Sequence, residues 1–305
     1  MKIFCLRKYF FIEMAATSNV HVVSHGLARP IQFKHHLVEF TDHFVAEQPD
    51  FFYFWKDEQL TRDILIKLKA ASPHTKFVMY YADQRGGVPP LIAERRGLLD
   101  VLFINNEDPT QFKMYKKIGI PKVFTLHHCV PTNEFKDFDV PITHDVFFGG
   151  NNFNHKKFPL GKFRYDLIMR VHGLFKTVVY GNGWPFGTEK RVPRQQYARV
   201  LRRANVNLGS NHYDVLRYYD RRLFECMASG RAHITRYVPG MEKHFENGKH
   251  LVWFRSIKEG LNAIQNLLKY PEKREAIAAA GKKLVFEQHS FEVRANQLQQ
   301  ILESI

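Results

Sequence analysis

The chain has 305 residues, of which 45% are hydrophobic and 14% aromatic, so we expect two folded domains with large cores and no intrinsic disorder. The three cysteines, Cys5, Cys129 and Cys226, are far apart and odd in number. They fit neither a disulfide framework nor a metal site, which predicts a reducing, cytoplasmic location. No run of about 18 uncharged apolar residues is present, so no transmembrane helix is expected. The formal net charge of +15 indicates either a polyanionic partner or a solvated basic face.

The first half of the chain alternates short apolar segments with amphipathic ones. The predicted strands are Lys2–Arg7, His21–Ser24, Asp50–Trp55, Lys76–Ala82, Asp100–Asn105 and Lys122–His127. Between them lie helical patterns such as Glu58–Ala71, in which Leu60, Ile64 and Leu68 mark one face. Nearly continuous apolar strands that alternate with helices are typical of a parallel sheet covered on both faces.

A second succession of this kind begins near His144. Its predicted strands are Asp145–Phe148, Thr177–Tyr180, Asn205–Leu208, Ala232–Thr235 and Leu251–Phe254. Its predicted helices are Lys162–Phe175, Arg194–Ala204, Arg221–Ser229, Ile257–Leu268, Pro271–Ala280 and Ser290–Leu302. We place a linker at Val130–Thr143, which contains two prolines. The fold class is therefore α/β with two Rossmann-like domains, residues 1–140 and 141–288, followed by a C-terminal helix at 289–305.

The segment Arg221–Gly248 carries the most specific motif. It places Glu225 on a helix, a small-residue turn that ends at Gly230, a short strand, and then Pro239-Gly240 before Glu242. Glycine at 230 permits a tight turn, and the pocket it forms would offer Glu225 to a ribose-type diol and backbone N–H groups to phosphate. This motif resembles the nucleotide-sugar site of GT-B glycosyltransferases, especially the group-1 and spore-maturation CgeB-like branch. The same family pattern is also matched by Arg222, Phe224 and Ala228.

The resemblance implies a GT-B architecture, in which an acceptor-side domain and a donor domain face each other across a cleft. The terminal helix would pack back on the N-terminal domain. It also implies a nucleotide-sugar co-substrate, UDP-linked by family analogy, and no metal or other cofactor. Many retaining relatives carry two glutamates with seven residues between them. Glu225 matches the second, but Arg217 stands at the position of the first, so the stereochemistry of transfer stays open.

Several residues of the second domain are candidates for donor binding. Gly149-Gly150 follows the first strand of this domain, where ligands bind in open α/β sheets; the pair either lets the pyrophosphate approach backbone N–H groups or forms an ordinary turn. The resemblance assigns the basic residues after it to the diphosphate. The run Tyr180 to Trp184 is either a wall against the base or a surface turn anchored by Trp184. The full predicted donor set is Gly149, Gly150, Lys157, Arg164, Tyr180, Gly181, Arg222, Glu225, Gly230 and Glu242.

If the reaction inverts, the catalytic base should come from the first domain. Asp83 ends a predicted strand before Gly86-Gly87, so it is either this base or the cap of a turn. His25 follows the second predicted strand and is the other candidate, since imidazole titrates near neutral pH. No metal site is predicted, because adjacent histidines such as His127-His128 point to opposite faces of a strand.

Residues 156–222 contain fifteen Lys and Arg against four acidic residues, more than one diphosphate requires. We therefore predict acceptor-binding arginines: Arg199, Arg202, Arg203 and Arg217. The leading hypothesis is a glycosyltransferase whose acceptor is a hydroxymethylated base in DNA, flipped from the duplex. A cell-envelope, spore or lipid-linked glycan is the alternative acceptor. An inactive GT-B relative that binds nucleic acid or a phosphosugar, and an NDP-sugar epimerase, are alternatives from other classes.

Overall fold

The computed structural model describes residues 1–5, 20–24, 37–83, 86–153, 158–186 and 192–305, apart from the side chains of residues 194 and 195. The chain divides into two units. The first consists of residues 1–127 and 291–305, and the second of residues 128–290. Each unit is built on one parallel β-sheet with helices between successive strands.

The first unit contains a six-stranded sheet whose neighbouring strands are all parallel. In chain order its strands are β1 (Lys2–Cys5), β2 (His21–Ser24), β3 (Phe51–Trp55), β4 (Lys76–Tyr81), β5 (Val101–Ile104) and β6 (Lys122–Thr125). They lie in the order β2-β1-β3-β4-β5-β6. The helices are α1 (Leu37–Glu47), α2 (Arg62–Ala71), α3 (Pro90–Ala93) and α4 (Pro109–Lys117). Phenylalanines dominate the core, because Phe4, Phe40, Phe44, Phe52 and Phe77 are fully enclosed and pack edge to face or tilted.

The second unit contains a five-stranded parallel sheet. Its strands are β7 (His144–Gly149), β8 (Thr177–Tyr180), β9 (Ala204–Gly209), β10 (Ala232–Arg236) and β11 (Val252–Phe254). Its helices are α5 (Gly161–Leu174), α6 (Arg194–Leu201), α7 (Arg221–Ala228), α8 (Ile257–Lys269) and α9 (Pro271–Gln288), and the last helix of the chain, α10 (Phe291–Glu303), belongs to the first unit. The strand order is β11-β10-β9-β7-β8. The chain passes from β7 to β8 on one side and then to β9 on the other, and such a reversal is where ligands bind in open α/β sheets.

Helix α7 begins at Arg221 because Asp220 caps it, accepting the Leu223 N–H at 3.1 Å. It ends at a turn in which Gly230 has φ +72°, a conformation that favours glycine. Arg217 lies before the cap with φ +51°. Arg217 is therefore outside the helix that carries Arg221, and the two arginines do not share a helix face.

No helix in the described part of the chain is long and apolar enough to cross a membrane. The three cysteines are all free and buried, and burial raises the pKa of the Cys226 thiol well above its ordinary value.

Candidate functional site

A cavity of about 950 Å³ lies at the carboxyl edge of the second sheet. The loops that follow β7, β8 and β9, helix α5 and the start of α7 all contribute to its wall, as does the segment that leads into α6. It therefore sits at the reversal of strand order beside β7, where the topology predicts a ligand site. The predicted donor residues that line it are Gly149, Gly150, Arg164, Tyr180, Gly181, Arg222 and Glu225.

The loops after β7 and β8 interlock through two glycines. The Gly150 N–H donates to the Tyr180 carbonyl at 2.7 Å, and a Cβ on Gly181 would collide with the Gly150 carbonyl. The Trp184 indole N–H also donates to the Gly150 carbonyl, at 2.9 Å. The Gly150 N–H therefore continues the strand ladder, so this donor favours the turn among the two interpretations of the glycine pair. Trp184 anchors the turn, while Tyr180 and Gly181 form the cavity wall.

Two guanidinium groups meet beside Gly150. A Cβ on Gly150 would collide with Arg164 Nη2 and would lie 2.5 Å from Arg222 Nη1, so the glycine makes room for both cations. Arg222 donates to Asp220 Oδ2 at 2.5 and 3.1 Å and to the Gly149 carbonyl at 2.7 Å. These bonds fix the guanidinium of Arg222 at the carboxyl end of β7.

Arg164 enters the same space from α5 and is 2% exposed. It donates to the carbonyls of Ser210 and Asn151, the latter at 3.3 Å, and lies over the Phe148 ring at 4.7 Å. Burial, reinforced by the charge of Arg222, lowers the pKa of Arg164 to about 9. Within the described ranges Arg164 pairs with no carboxylate, and a buried cation without a counter-ion is costly unless an anion joins it.

The carboxylate of Asp220, which is half-buried, faces the two arginines. Burial alone would raise the pKa of Asp220, but the attraction and hydrogen bonds of Arg222 hold it below its ordinary value. Asp220 is therefore ionised; it is hydrogen-bonded to Arg222 and attracts Arg164 electrostatically, so one carboxylate faces two guanidinium charges. The wall beside Gly150 is suited to an anion such as a phosphate.

Glu225 lies one turn further along α7 and is 1% exposed. Its Oε1 is 3.0 Å from Arg221 Nε, an i, i+4 pair in which the arginine is 41% exposed. A carboxylate at this position can accept hydrogen bonds from hydroxyl groups of a ligand in the cavity.

Of the two catalytic candidates of the first unit, Asp83 is among the residues that the structure describes. Asp83 follows β4 and forms an ion pair with Lys56, both side chains being more than 40% exposed. The Asp83 side chain therefore lies at the carboxyl edge of the first sheet with Lys56 as a partner. His25 lies outside the described residues, as does the donor-binding candidate Lys157.

Gly230 and Glu242 do not line the cavity. Gly230 lies at the far end of α7, next to Arg202, so its motif position serves the helix-to-strand turn. Glu242 is exposed and accepts the Tyr237 hydroxyl at 2.9 and 3.0 Å. A backbone hydrogen bond and the bond from Tyr237 lower the pKa of Glu242, which keeps this carboxylate ionised outside the cavity.

None of the four arginines predicted to bind an acceptor lines the cavity. Arg202 pairs with Asp137 at 3.0 Å and donates to the carbonyls of Phe138 and Ser229, both at 2.8 Å. The Arg199 guanidinium lies 4.3 Å from the centre of the Phe138 ring. Arg202 is thus a structural cation, since its charge joins three segments of the second unit. Arg203 is exposed, and Arg217 donates its N–H to the Pro239 carbonyl at 2.8 Å.

Two further residues of the wall carry no local sequence signal. Tyr197 projects from α6, and burial raises its pKa well above the ordinary value. His212 lies in the loop that follows β9. Both reach the cavity through packing between distant segments.

Residues 164–300 match the family described as Glycosyl transferase-like. No curated protein matches the chain. Solved structures do match over nearly the whole length. Sucrose-phosphate synthase from Thermosynechococcus elongatus has a TM-score of 0.67 at 11% identity, covering 100% of this chain and 98% of that one. Anabaena HepE in complex with UDP and glucose gives 0.65 at 11% identity over 100% of both chains. An alpha-glucosyltransferase in complex with UDP gives 0.66 at 11% identity over 99% of both. Together with the two parallel sheets, this likeness confirms the predicted α/β fold of the GT-B type.

Proposed function

We propose that the protein is a glycosyltransferase that transfers a sugar from a UDP-sugar to a hydroxyl acceptor. The observation that carries this proposal is the cavity of the second unit, in which Arg164 and Arg222 meet beside Gly150 and Glu225 lines the same wall. All three side chains lie within the segment similar to the Glycosyl transferase-like family. Two of the similar solved structures hold UDP, which supports uridine as the nucleoside.

The wall of the cavity supplies one group for each part of such a donor. We assign the diphosphate to Arg164 and Arg222, and the ribose hydroxyls to Glu225. The base would lie against Tyr180 and Pro193, which line the cavity beside them. A volume of about 950 Å³ is within the roughly 300–1,000 Å³ of small-molecule sites.

The two arginines also supply the charge that the chemistry needs. When the bond between the sugar C1 and the diphosphate oxygen breaks, the electron pair stays on the diphosphate. Preorganised cations beside that oxygen lower the barrier. The acceptor hydroxyl loses its proton to a base, for which Asp83 and His25 remain the candidates. Because the charge comes from side chains, we propose that transfer needs no metal ion and survives EDTA.

Calorimetric titration with UDP tests the donor site, using Arg164→Met and the matched control Arg170→Met. Both arginines lie on α5, but Arg170 is exposed and outside the cavity. Charged hydrogen bonds contribute about 1.5–3 kcal/mol each, so R164M should weaken UDP binding roughly tenfold or more while R170M leaves it unchanged. Wild-type protein that binds no UDP at millimolar concentration would contradict the proposal.

Slow hydrolysis of UDP-sugars in EDTA separates an active transferase from an inactive relative that only binds the donor. Release of UDP above the uncatalysed rate supports the enzyme. A UDP-sugar that binds but releases no UDP, alone or with any acceptor tried, favours the inactive relative.

Placement in the CgeB-like branch and a cytoplasmic location remain part of the proposal. The first rests on the motif around Glu225 and the second on the three free cysteines.

The acceptor proposal rests on charge alone. A hydroxymethylated base in DNA remains our first candidate because residues 156–222 carry a large basic excess. The structural engagement of Arg202 reduces that support. DNA binding measured over a salt series would decide, since neutralised phosphates give a steep dependence on salt. Binding that is absent at low salt would direct the search to envelope, spore or lipid-linked glycans.

A further inference from the structure

Phe153 is an exposed aromatic residue in the wall of the cavity. It lies in the loop after β7 and its side chain is 52% exposed. Among the described residues, it is the one large, well-exposed apolar side chain that lines this cavity. Exposed apolar surface inside a binding cavity is typical of a wall that a bound ligand covers.

A cluster of aromatic rings supports Phe153. Its ring centre is 6.0 Å from that of Phe158 and 6.0 Å from that of His212. Phe158 in turn lies 4.6 Å from the His212 ring and packs edge-on against Tyr213 at 5.8 Å. The Leu160 N–H donates to the His212 carbonyl at 3.1 Å, which ties the segment before α5 to the loop after β9. The cluster therefore holds the exposed ring against two separate segments of the wall.

The strand order gives the cavity two ends. In the sheet, β7 lies between β8 and β9. The guanidinium groups of Arg164 and Arg222 meet at the end of β7, Tyr180 ends β8, and His212 follows β9. Phe153 belongs to the β9 side because it packs on His212. The two cations thus lie between a β8 end and a β9 end.

A UDP-sugar has its parts in a fixed order: base, ribose, diphosphate and sugar. With the base at Tyr180 and the diphosphate at the two arginines, as proposed above, the sugar continues toward the β9 end, where Phe153 is exposed. The faces of a pyranose carry C–H groups with a small positive charge. An aromatic ring has a negative face and a large apolar area, so the two surfaces attract each other.

We propose that Phe153 is the platform for the donor sugar, so that a C–H face of a pyranose packs on its ring while the diphosphate is held by Arg164 and Arg222. This inference rests on the UDP-sugar donor proposed above and adds the sugar subsite. It predicts that Phe153 contributes to the binding of a UDP-sugar and contributes nothing to the binding of UDP.

Calorimetric titration tests this difference, with UDP and with UDP-glucose, UDP-galactose and UDP-N-acetylglucosamine as probes. Phe153→Ala should leave UDP affinity unchanged and weaken the UDP-sugar that wild type binds best by about threefold to tenfold, the effect of one aromatic contact. Phe153→Tyr keeps the ring and should bind both as wild type does. Tyr270→Ala is the matched control, because Tyr270 is an aromatic residue that is 40% exposed and outside the cavity. It should change neither affinity.

Saturation-transfer NMR locates the contact directly. Irradiation of the aromatic protons of the protein should transfer saturation to the sugar C–H protons of the bound UDP-sugar in wild type and F153Y, and much less in F153A. The uracil protons should keep their transfer in every variant and serve as the internal reference. If F153A does not fold, Phe153→Leu takes its place, because it keeps apolar bulk but removes the ring.

The outcomes separate the two proposals. A folded F153A that binds UDP-sugars as wild type does would overturn the platform. Equal weakening of UDP and UDP-sugar would also overturn it, because Phe153 would then hold the nucleotide. Wild type that binds UDP but none of the three UDP-sugars would contradict it too, since this end would not admit a pyranose. All three results leave the UDP site standing. Wild type that binds no UDP would overturn the donor proposal, and the platform with it.

Discussion

Substitution of Gly150 by alanine should disable the anion-binding wall while leaving the fold in place. The added Cβ would lie 2.5 Å from Arg222 Nη1 and would collide with Arg164 Nη2, whereas carbon and nitrogen atoms in contact need about 3.5 Å. Each guanidinium must therefore retreat by roughly 1 Å. The colliding atoms are the ends of side chains, but Gly150 also has φ +157°, where an L side chain is strained, so part of the cost falls on the backbone at the end of β7.

The size of the effect follows from the bonds that would be lost. A hydrogen bond lengthened by 1 Å beyond its normal range no longer contributes, and bonds to charged groups contribute about 1.5–3 kcal/mol. Loss of one such bond to a phosphate is at least a tenfold weakening, and loss of one from each arginine is about 100-fold or more. Overpacking of a buried site should also lower the free energy of unfolding by about 1–3 kcal/mol.

Titration with UDP and urea unfolding measure the two effects separately. Gly173→Ala is the matched control, because Gly173 lies in α5 with open space around its Cα. It should bind UDP normally and gain up to about 1 kcal/mol of stability from helix propensity. A folded G150A that binds UDP as tightly as wild type would refute the assignment of Arg164 and Arg222 to the diphosphate.

Two further predictions concern the structure around the site. His233 is 2% exposed and its pKa is lowered to about 4 by burial; the unfolded chain binds the proton first as pH falls from about 6.5 to 4, so about 3 kcal/mol of stability should be lost across that window. Urea unfolding at pH 7 and 4.5 measures this loss. An equal loss of unfolding free energy between these pH values in His233→Gln would show that another group causes it. Trp184→Phe removes the N–H bonded to Gly150 and should cost about 1–2 kcal/mol; an unchanged melting temperature would deny Trp184 its anchoring role.

The central strands could be predicted from the sequence because they are buried on both faces and appear as short apolar runs. The run Asp100–Asn105, for example, contains β5, all of which is buried. Helices were less predictable where aromatic residues replace the usual aliphatic pattern. Helix α1 (Leu37–Glu47) was not named individually in the sequence analysis, and its buried positions are Phe40 and Phe44.

Helix boundaries depended on contacts that the local pattern does not contain. Helix α2 begins at Arg62 instead of Glu58 because Thr61 caps it, accepting the Ile64 N–H. Helix α9 was expected to stop at Ala280, before Gly281. It continues to Gln288, and Gly281 lies inside it because the helix packs against the His250 carbonyl, where a Cβ would collide. A glycine that permits close packing looks the same in sequence as one that ends a helix.

The cavity residues also divide into those that local motifs predict and those that only the packing of distant segments brings together. Gly150, Gly181 and Glu225 were named from motifs that follow strands or begin a helix, and such positions converge at the carboxyl edge of a parallel sheet. Tyr197 and His212 reach the cavity only through the packing of α6 and of the loop after β9. The acceptor arginines were inferred from charge density, which does not distinguish a structural cation such as Arg202 from one that binds a ligand.

The measurement that tests the central claim most directly is a crystal structure of the protein with UDP. The account predicts phosphate oxygens within hydrogen-bonding distance of Arg164 and Arg222, and the ribose hydroxyls at Glu225. UDP bound elsewhere on the second unit, or bound in this cavity with its phosphates pointing away from both arginines, would contradict it.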